Sequence, residues 1–221
     1  MPLPTFASAG ESEPQKTLSR TAAAARLELH VAAVGKMIRA GMLPVPIATD
    51  AIDQLRDRPR LQVVAGELTV LRTDARAIAD AGKYPDDPRR WMGFHVDHTD
   101  VELEDASLRW WRSEPGRVVD NELFAVTVAT FPVAVYRIFG LEASRTRADE
   151  DAQRHHYAGQ LLARVTPGMI VSRREPIPGH LRGRVDQIMA SRITVASGGP
   201  IGYLEPAPGS EHANTTASAD A

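Results

Sequence analysis

Apolar residues recur at helical spacing early in the chain and fall into strand-like runs over most of the remainder, with the change near residue 60. From Ser19 to about Arg58 the period is helical. Ser19 can serve as an N-cap and predicts a helix over 20–27. His30 or its neighbour starts a second over 31–40, closed by Gly41. Leu43-Pro44-Val45-Pro46 predicts a stiff extended connector, because each proline disfavours helix in the residue before it. Thr49 or Asp50 then caps a third short helix carrying Ile52 and Leu55.

Beyond residue 60, LQVVAGELTVLR (61–72) predicts a hairpin turning at Gly66-Glu67. Thr73 starts a helix with Ala75, Ile78 and Ala79 on one side, closed by Gly82. Another helix is expected from about 100 to 112, with Leu103, Ala106 and Trp110 on one face. LFAVTVATFPVAVYRI (123–138) carries the strongest strand signal, two β-branched runs abutting at Thr130–Pro132. QLLARV (160–165), MIV (169–171), RITVA (192–196) and IGYL (201–204) add strands, and a helix fits 181–190 with Leu181, Val185, Ile188 and Met189 inward. There is no internal repeat. The two ends, 1–16 and 205–221, lack apolar period and are expected to be disordered tails.

The pair of helices at 20–27 and 31–40 meets the needs of a DNA-reading helix-turn-helix. Such a unit has a small residue where the helices cross, apolar residues that lock the second helix to the first, and an outward row free to enter a groove. Ala24 fits the close approach, and Ala23, Leu27, Leu29, Val34 and Met37 fit the lock. Ala32, Lys36 and Arg39 form the outward row, with His30 and Val31 at the helix start. Ala25-Arg26-Leu27-Glu28-Leu29-His30, then Val31 to Val34, then Ile38-Arg39-Ala40-Gly41-Met42-Leu43-Pro44, resembles the winged helix-turn-helix of excisionase-like and MerR-like DNA-binding proteins. The resemblance covers about 19–58 and implies double-stranded DNA as partner. Arg20, Lys36 and Arg39 would meet phosphates, while His30, Val31 and Ala32 would face the bases. Glu28 stands where those proteins usually carry glycine, so it must accept a strained backbone. His30, Val31 and Ala32 also offer little hydrogen bonding to base edges.

Charge sharpens this picture. The net charge is −2, yet residues 16–60 carry eight Lys/Arg against four Asp/Glu, while 61–115 carry seven against eleven. The positive block coincides with the two helices, as a phosphate-facing module requires. There is no cysteine, which excludes disulfides and thiolate chemistry. No run approaches the roughly 18 apolar residues of a membrane helix, and MPLPTFASAGESEPQ lacks a charged-then-apolar signal pattern. A cytoplasmic protein of bacterial type, with no membrane partner, is the expectation.

The densest polar chemistry is GFHVDHTDVELED (93–105). A metal site would use His95, His98 and Asp100. The competing reading makes Thr99 and Glu102 a capping box, with Asp100, Glu102, Glu104 and Asp105 placed where a helix start favours acids. If 94–98 is extended, His95 and His98 point to opposite faces. Arg154-His155-His156-Tyr157 offers a second pair of histidines, one of which should face water at a strand edge. Trp110 should be core, with Trp111 about 100° around the helix and nearer the surface. No Ser-His-Asp elbow, Gly-rich phosphate loop or H-E-x-x-H occurs, so no catalytic residue and no cofactor is assigned.

The strand order from 107 to 204 weakly resembles the small β-barrels of the PUA and SRA-like kind, some of which bind RNA or a flipped modified base. The fold class expected is α+β, with a helix-turn-helix head at 17–60 and an antiparallel, strand-rich, barrel-like body with a few helices at 61–204. The function expected is a DNA-binding regulator whose body senses a ligand or contacts a protein partner, including a second copy. The alternatives are a nucleic-acid or modified-base module acting through the body, and a small hydrolase-like enzyme using the His98/His156 region.

Overall fold

The computed structural model describes residues 16–80, 87, 89–147, 150–196 and 199–207, so all but Lys16 of the expected tail 1–16 and most of the expected tail 205–221 lie outside the described residues. The early elements are β1 (Thr17–Leu18), α1 (Arg20–Leu27), α2 (Val31–Arg39), β2 (Ile47–Ala48) and α3 (Thr49–Arg56). Next come β3 (Leu68–Thr73), β4 (Ala77–Ile78), β5 (Trp91–Met92), α4 (Asp100–Leu108), β6 (Arg109–Trp111) and α5 (Pro115–Asp120). The remainder is β7 (Leu123–Val128), β8 (Phe131–Thr146), β9 (Gln153–Thr166), β10 (Ile170–Arg173), α6 (Gly179–Met189) and β11 (Ile201–Leu204), with a 3-10 turn at Pro167–Met169. The chain is therefore a mixed α/β fold with six helices among the described residues.

The three early helices form where their caps are. Ser19 Oγ accepts from Ala22 N at 3.1 Å and His30 Nδ1 from Ala32 N at 3.2 Å, so both expected N-caps are made. Each of the first two helices ends in a pair of reversed bonds. Glu28 N and Leu29 N donate to Ala25 O and Ala24 O, and Gly41 N and Met42 N donate to Ile38 O and Met37 O. This ending requires a left-handed residue. Gly41 takes φ +72° at no cost, whereas Glu28 takes φ 58°, ψ 40° with a side chain attached. The third helix departs from expectation: its N-cap is Ala48 with no side-chain bond, and Thr49 Oγ1 donates instead to Lys16 O. The connector before it bends, and its end, Ile47–Ala48, pairs with Thr17–Leu18.

The body is built on one sheet in the order β10–β9–β8–β7–β3–β11, with β6 on the outer edge of β9 beyond β10. The sheet curls into an open half-barrel. Its pairs are antiparallel except β3–β7, which is parallel. All six residues of β7 and the first six of β8 are buried, so the centre of the sheet is covered on both sides. Helices α5 and α6 pack on β8, α4 on β9 and α2 on β7. Buried Leu181, Val185, Ile188 and Met189 make the inner face of α6, as the sequence predicts.

Several expectations are corrected. Residues 61–67 form no strand and there is no hairpin at Gly66-Glu67: β7 lies on one side of β3 and β11 on the other, leaving no edge for a partner. Thr73 ends β3 instead of starting a helix, and 74–79 pairs with 90–94 as a narrow ribbon. Gly82 lies outside the described residues. RITVA is not a strand either, because Arg192 is held by Pro59 and Leu61 and Ile193 N donates to Thr130 O. The first helix after residue 100 stops at Leu108, and β6 begins with a bulge where Trp110 adopts φ +61°. The bulge exchanges the two tryptophans: Trp111 is buried and donates Nε1 to Ser107 O at 2.7 Å, while Trp110 is half-buried. The β8–β9 ribbon also runs far past the apolar core, with half-buried and exposed positions along 139–146 that carry no strand signal in sequence.

The left-handed Glu28 generates a stability prediction. Glu28→Gly removes the Cβ clash at that position and should stabilise the protein by roughly 0.5–1 kcal/mol. In a chain of this size the melting temperature should rise by about 2 °C. A fall would show that the Glu28 side chain makes a contact worth more than the backbone cost.

Candidate nucleic-acid interface

The face of α2 turned away from the core carries the residues singled out in sequence. Val34 and Met37 are fully buried with Ala23, Ala24 and Leu27 of α1, and Leu29 is half-buried against them. Ile52 and Leu55 of α3 complete this three-helix core. On the other side Val31, Ala32 and Arg39 are exposed and Lys36 is half-buried. A methyl placed on Gly35 would lie 3.4 Å from Arg39 Nη1, so the Arg39 guanidinium folds back over that glycine on the outward face. His30 caps the helix at the same end as Val31 and Ala32. Arg20, exposed, stands at the start of α1. Five of the six expected contact residues thus share α2 and its cap, and Arg20 belongs to the neighbouring helix.

Lys36 is not idle. Its Nζ lies 3.0 Å from Asp74, just past the end of β3, in an ion pair with both partners partly exposed. Beside it a cleft of about 560 Å³ separates the outer face of α2 from the end of the sheet, lined by Ala32, Lys36, Arg72, Thr130, Thr194 and Gly199. The β7–β8 turn at its floor has positive φ at both Ala129 and Thr130, as a tight hairpin turn requires. Thr130 is β-branched and its Oγ1 is buried without a partner, so this turn is costly.

The ribbon of β4 and β5 borders α2 as well, and the sequence assigned it elsewhere. Phe94 N donates to Asp74 O, Arg76 N to Phe94 O and Ala79 N to Arg90 O, while Val96 N donates to Ala40 O at 3.0 Å. The guanidinium carbons of Arg76 and Arg90 sit 4.7 and 4.8 Å from the ring centre of Trp91. Trp91 Nε1 donates to Glu102 Oε1 at 3.0 Å. The only sequence signal is the Arg-Arg-Trp run at 89–91, too short to mark a surface by itself.

The histidine and acid cluster resolves into a helix start. Thr99 Oγ1 accepts from Glu102 N and Thr99 N donates to Glu102 Oε2, the complete capping box. The backbone bond from Thr99, then that from Trp91, holds the Glu102 carboxyl below its ordinary range. Asp100 is gripped by Arg174 and Arg164, which lower its pKa in that order. Residues 95–98 turn instead of extending, with His98 N donating to His95 O. Among the described residues no three His, Asp or Glu side chains gather as a metal-holding group. His98 is buried against Phe94 with neither ring nitrogen bonded, and burial, then the charge of Arg76, pushes its pKa down to about 4. His155 and His156 are both buried, because β8 and β6 flank β9 at that point, so neither faces water. His155 Nδ1 meets Ser144 Oγ at 2.9 Å, and His156 lies beside Trp110.

No helix among the described residues is long and apolar enough to cross a membrane. No known family model matches the chain, and neither a curated protein nor a solved structure does.

Two stability measurements test this cluster. Thr99→Ala should cost about 1 kcal/mol, read from denaturant unfolding, because it removes the N-cap of α4. An unchanged midpoint would mean that Arg164 and Arg174 on Asp100 suffice to start the helix. His98 is neutral in the fold and protonates in the unfolded chain near its ordinary pKa, so the unfolded state binds the extra proton. Stability should therefore drop as pH falls from about 6.5 to about 4, by roughly 3 kcal/mol for this group. His98→Leu should flatten most of that slope, leaving the smaller share of His95, His155 and His156, whose pKa values burial also lowers. An equally steep slope in His98→Leu would mean that His98 is charged in the native protein.

Proposed function

We propose that the protein is a DNA-binding regulator in which α1, the turn at Glu28 and α2 act as a helix-turn-helix, with α2 entering the major groove. The observation that carries this reading is the division of α2 into two faces. Val34, Met37 and Ala40 are fully buried. Ala32 and Arg39 are exposed, with half-buried Lys36 beside them. The outward face adds one partly exposed ion pair, Lys36 with Asp74, to the apolar contacts that seat the helix. At nine residues α2 is roughly 14 Å long, which suits insertion by its N-terminal half.

The chemistry of that face points to backbone contact more than to base reading. Lys36 and Arg39 can each reach a phosphate, and Val31 or Ala32 can press on a thymine methyl. His30 uses one ring nitrogen to cap the helix and has the other free for an acceptor. The Lys36–Asp74 pair does not bar this, because an exposed ion pair is worth at most about 1 kcal/mol and exchanges readily for a phosphate. Binding should therefore be salt-sensitive and weakly selective unless the body adds contacts. The cleft between α2 and the sheet is where a ligand of the body would touch the reading helix directly.

Charge reversal on the full chain tests the reading. Lys36→Glu and Arg39→Glu should leave the fold intact, since nothing buried changes. Each should weaken binding to all duplex sequences about equally, and lower the slope of log K against log salt by about one unit per lost phosphate contact. Val34→Asp should unfold the helices by burying a charge at their crossing, and serves as the unfolded control. Folded Lys36→Glu and Arg39→Glu proteins that bind duplex as well as the parent, with the same slope, would reduce α1 and α2 to a helical corner.

A further inference from the structure

We propose that the β4–β5 ribbon is a second phosphate-binding surface, on which Arg76 and Arg90, stacked on Trp91, hold the backbone of the duplex whose groove α2 enters. The proposal rests on the reading of α2 above and extends it from the head to the body.

The first support is a charge left unmatched. Arginine in this chain is usually spent on carboxylates: Arg26 grips Asp53, Arg117 grips Glu67 and Glu205, Arg174 grips Asp100 and Arg182 grips Glu175. Arg39, Arg76 and Arg90 reach no carboxylate among the described residues, and all three border α2 or the ribbon against it. Three acids beside this surface are engaged by other groups. Asp74 holds Lys36, Glu102 accepts from Trp91 and from the α4 cap, and Asp97 lies against His95. Two guanidiniums lie against one ring and neither meets a carboxylate among the described residues, so an anion would complete the site.

The second support is order in advance of binding. Trp91 is fixed by its bond to Glu102, and the ribbon by Arg76 N to Phe94 O at 2.8 Å and Ala79 N to Arg90 O at 3.0 Å. Stacking on the ring restrains side chains that would otherwise lose rotamer freedom on binding. A guanidinium held against a ring through its π face spends none of its N–H donors on that contact, and they can form the fork that matches two oxygens of one phosphate.

The third support is position. Asp74 and Phe94 share one end of the ribbon, and there Asp74 touches Lys36 while Val96, two residues past Phe94, bonds Ala40 at the end of α2. A methyl on Gly41 would come 2.6 Å from Val96 and 3.2 Å from His95, so helix and ribbon meet with no gap. From that shared end the ribbon leads away past Arg76 to Arg90, a course that would carry both guanidiniums along the phosphates flanking a duplex seated on Arg39 and Lys36.

The test is a salt titration of duplex binding by the full chain, with fluorescence anisotropy on a short duplex of mixed sequence and a thermal melt of each variant. Arg76→Gln with Arg90→Gln should leave the melt near the parent and lower the salt slope by about two units. Arg76→Lys with Arg90→Lys should recover the slope but only part of the affinity, because lysine keeps the charge and loses the fork. Should the double Gln variant melt early, Arg90→Gln alone, at an exposed position, should still lower the slope by about one unit. If Lys36→Glu weakens binding while the Arg76/Arg90 variants do not, the ribbon contact is wrong and the reading of α2 stands. If the Arg76/Arg90 variants weaken binding while Lys36→Glu does not, the ribbon contact stands and α2 is not the reader. A parent protein that binds no duplex overturns both.

Discussion

Two backbone carbonyls at helix ends tie the early helices to the body. The last turn of any helix leaves carbonyls without intrahelical donors. In α1 the carbonyl of Leu27 is met by Arg192 at 2.9 Å, and after α2 the carbonyl of Ala40 is met by Val96 N at 3.0 Å. Both donors come from far along the chain. Together with the buried cluster that runs without break from Ala23 through the sheet, they set how α1 and α2 sit on the body. The cleft beside α2, the pairing of Lys36 with Asp74 and the course of the β4–β5 ribbon all depend on that placement.

Arginine serves as the internal cement of the body. Arg164, almost wholly buried, donates to the carbonyls of Val96 and His98 and to Asp100, so β9 holds the segment that leads into α4. Such a guanidinium is tolerable only because carbonyls and a carboxylate replace its water. Farther out, Arg154, Arg112 and Arg147 surround Glu150, whose carboxyl is pulled down to about 2 by the bond from Arg154 first. Against this background of matched charge, Arg39, Arg76 and Arg90 have no carboxylate among the described residues and are the arginines the proposed DNA contact would use.

The proposed activity therefore depends on a division of labour. The apolar side of α2 and the reversed bonds at Glu28 and Gly41 hold a short helix at a fixed angle, and its outer side carries little more than two cations and small apolar residues. A helix so poor in hydrogen-bonding readers gains little from base edges. In the proposed complex, additional affinity would come from backbone contacts supplied by the body, and the ribbon arginines are the charges proposed to make them.

Local chemistry was enough to read the early helices. Ser19, His30 and Gly41 each act on backbone groups within a few residues, so the caps of α1 and α2, the left-handed Glu28 and the two faces of α2 were legible from sequence. The capping box of Thr99 and Glu102 and the inner face of α6 were legible for the same reason. What the sequence could not decide was which segments would find a partner strand. Residues 61–65 have strand composition, yet β7 and β11 occupy both edges of β3, and 74–79 has a helical pattern that pairing with Phe94 and Trp91 overrides. The exchange of Trp110 and Trp111 comes from a bulge against β9, and the buried state of both His155 and His156 comes from β6 closing the far edge. The ribbon beside α2 was invisible for that reason too: its arginines share one tryptophan only because Ala77–Ile78 pair with Trp91–Met92. Caps and helix periodicity are settled by neighbours along the chain, whereas strand pairing and the charge left over from it are settled by competition among distant segments for the same hydrogen bonds.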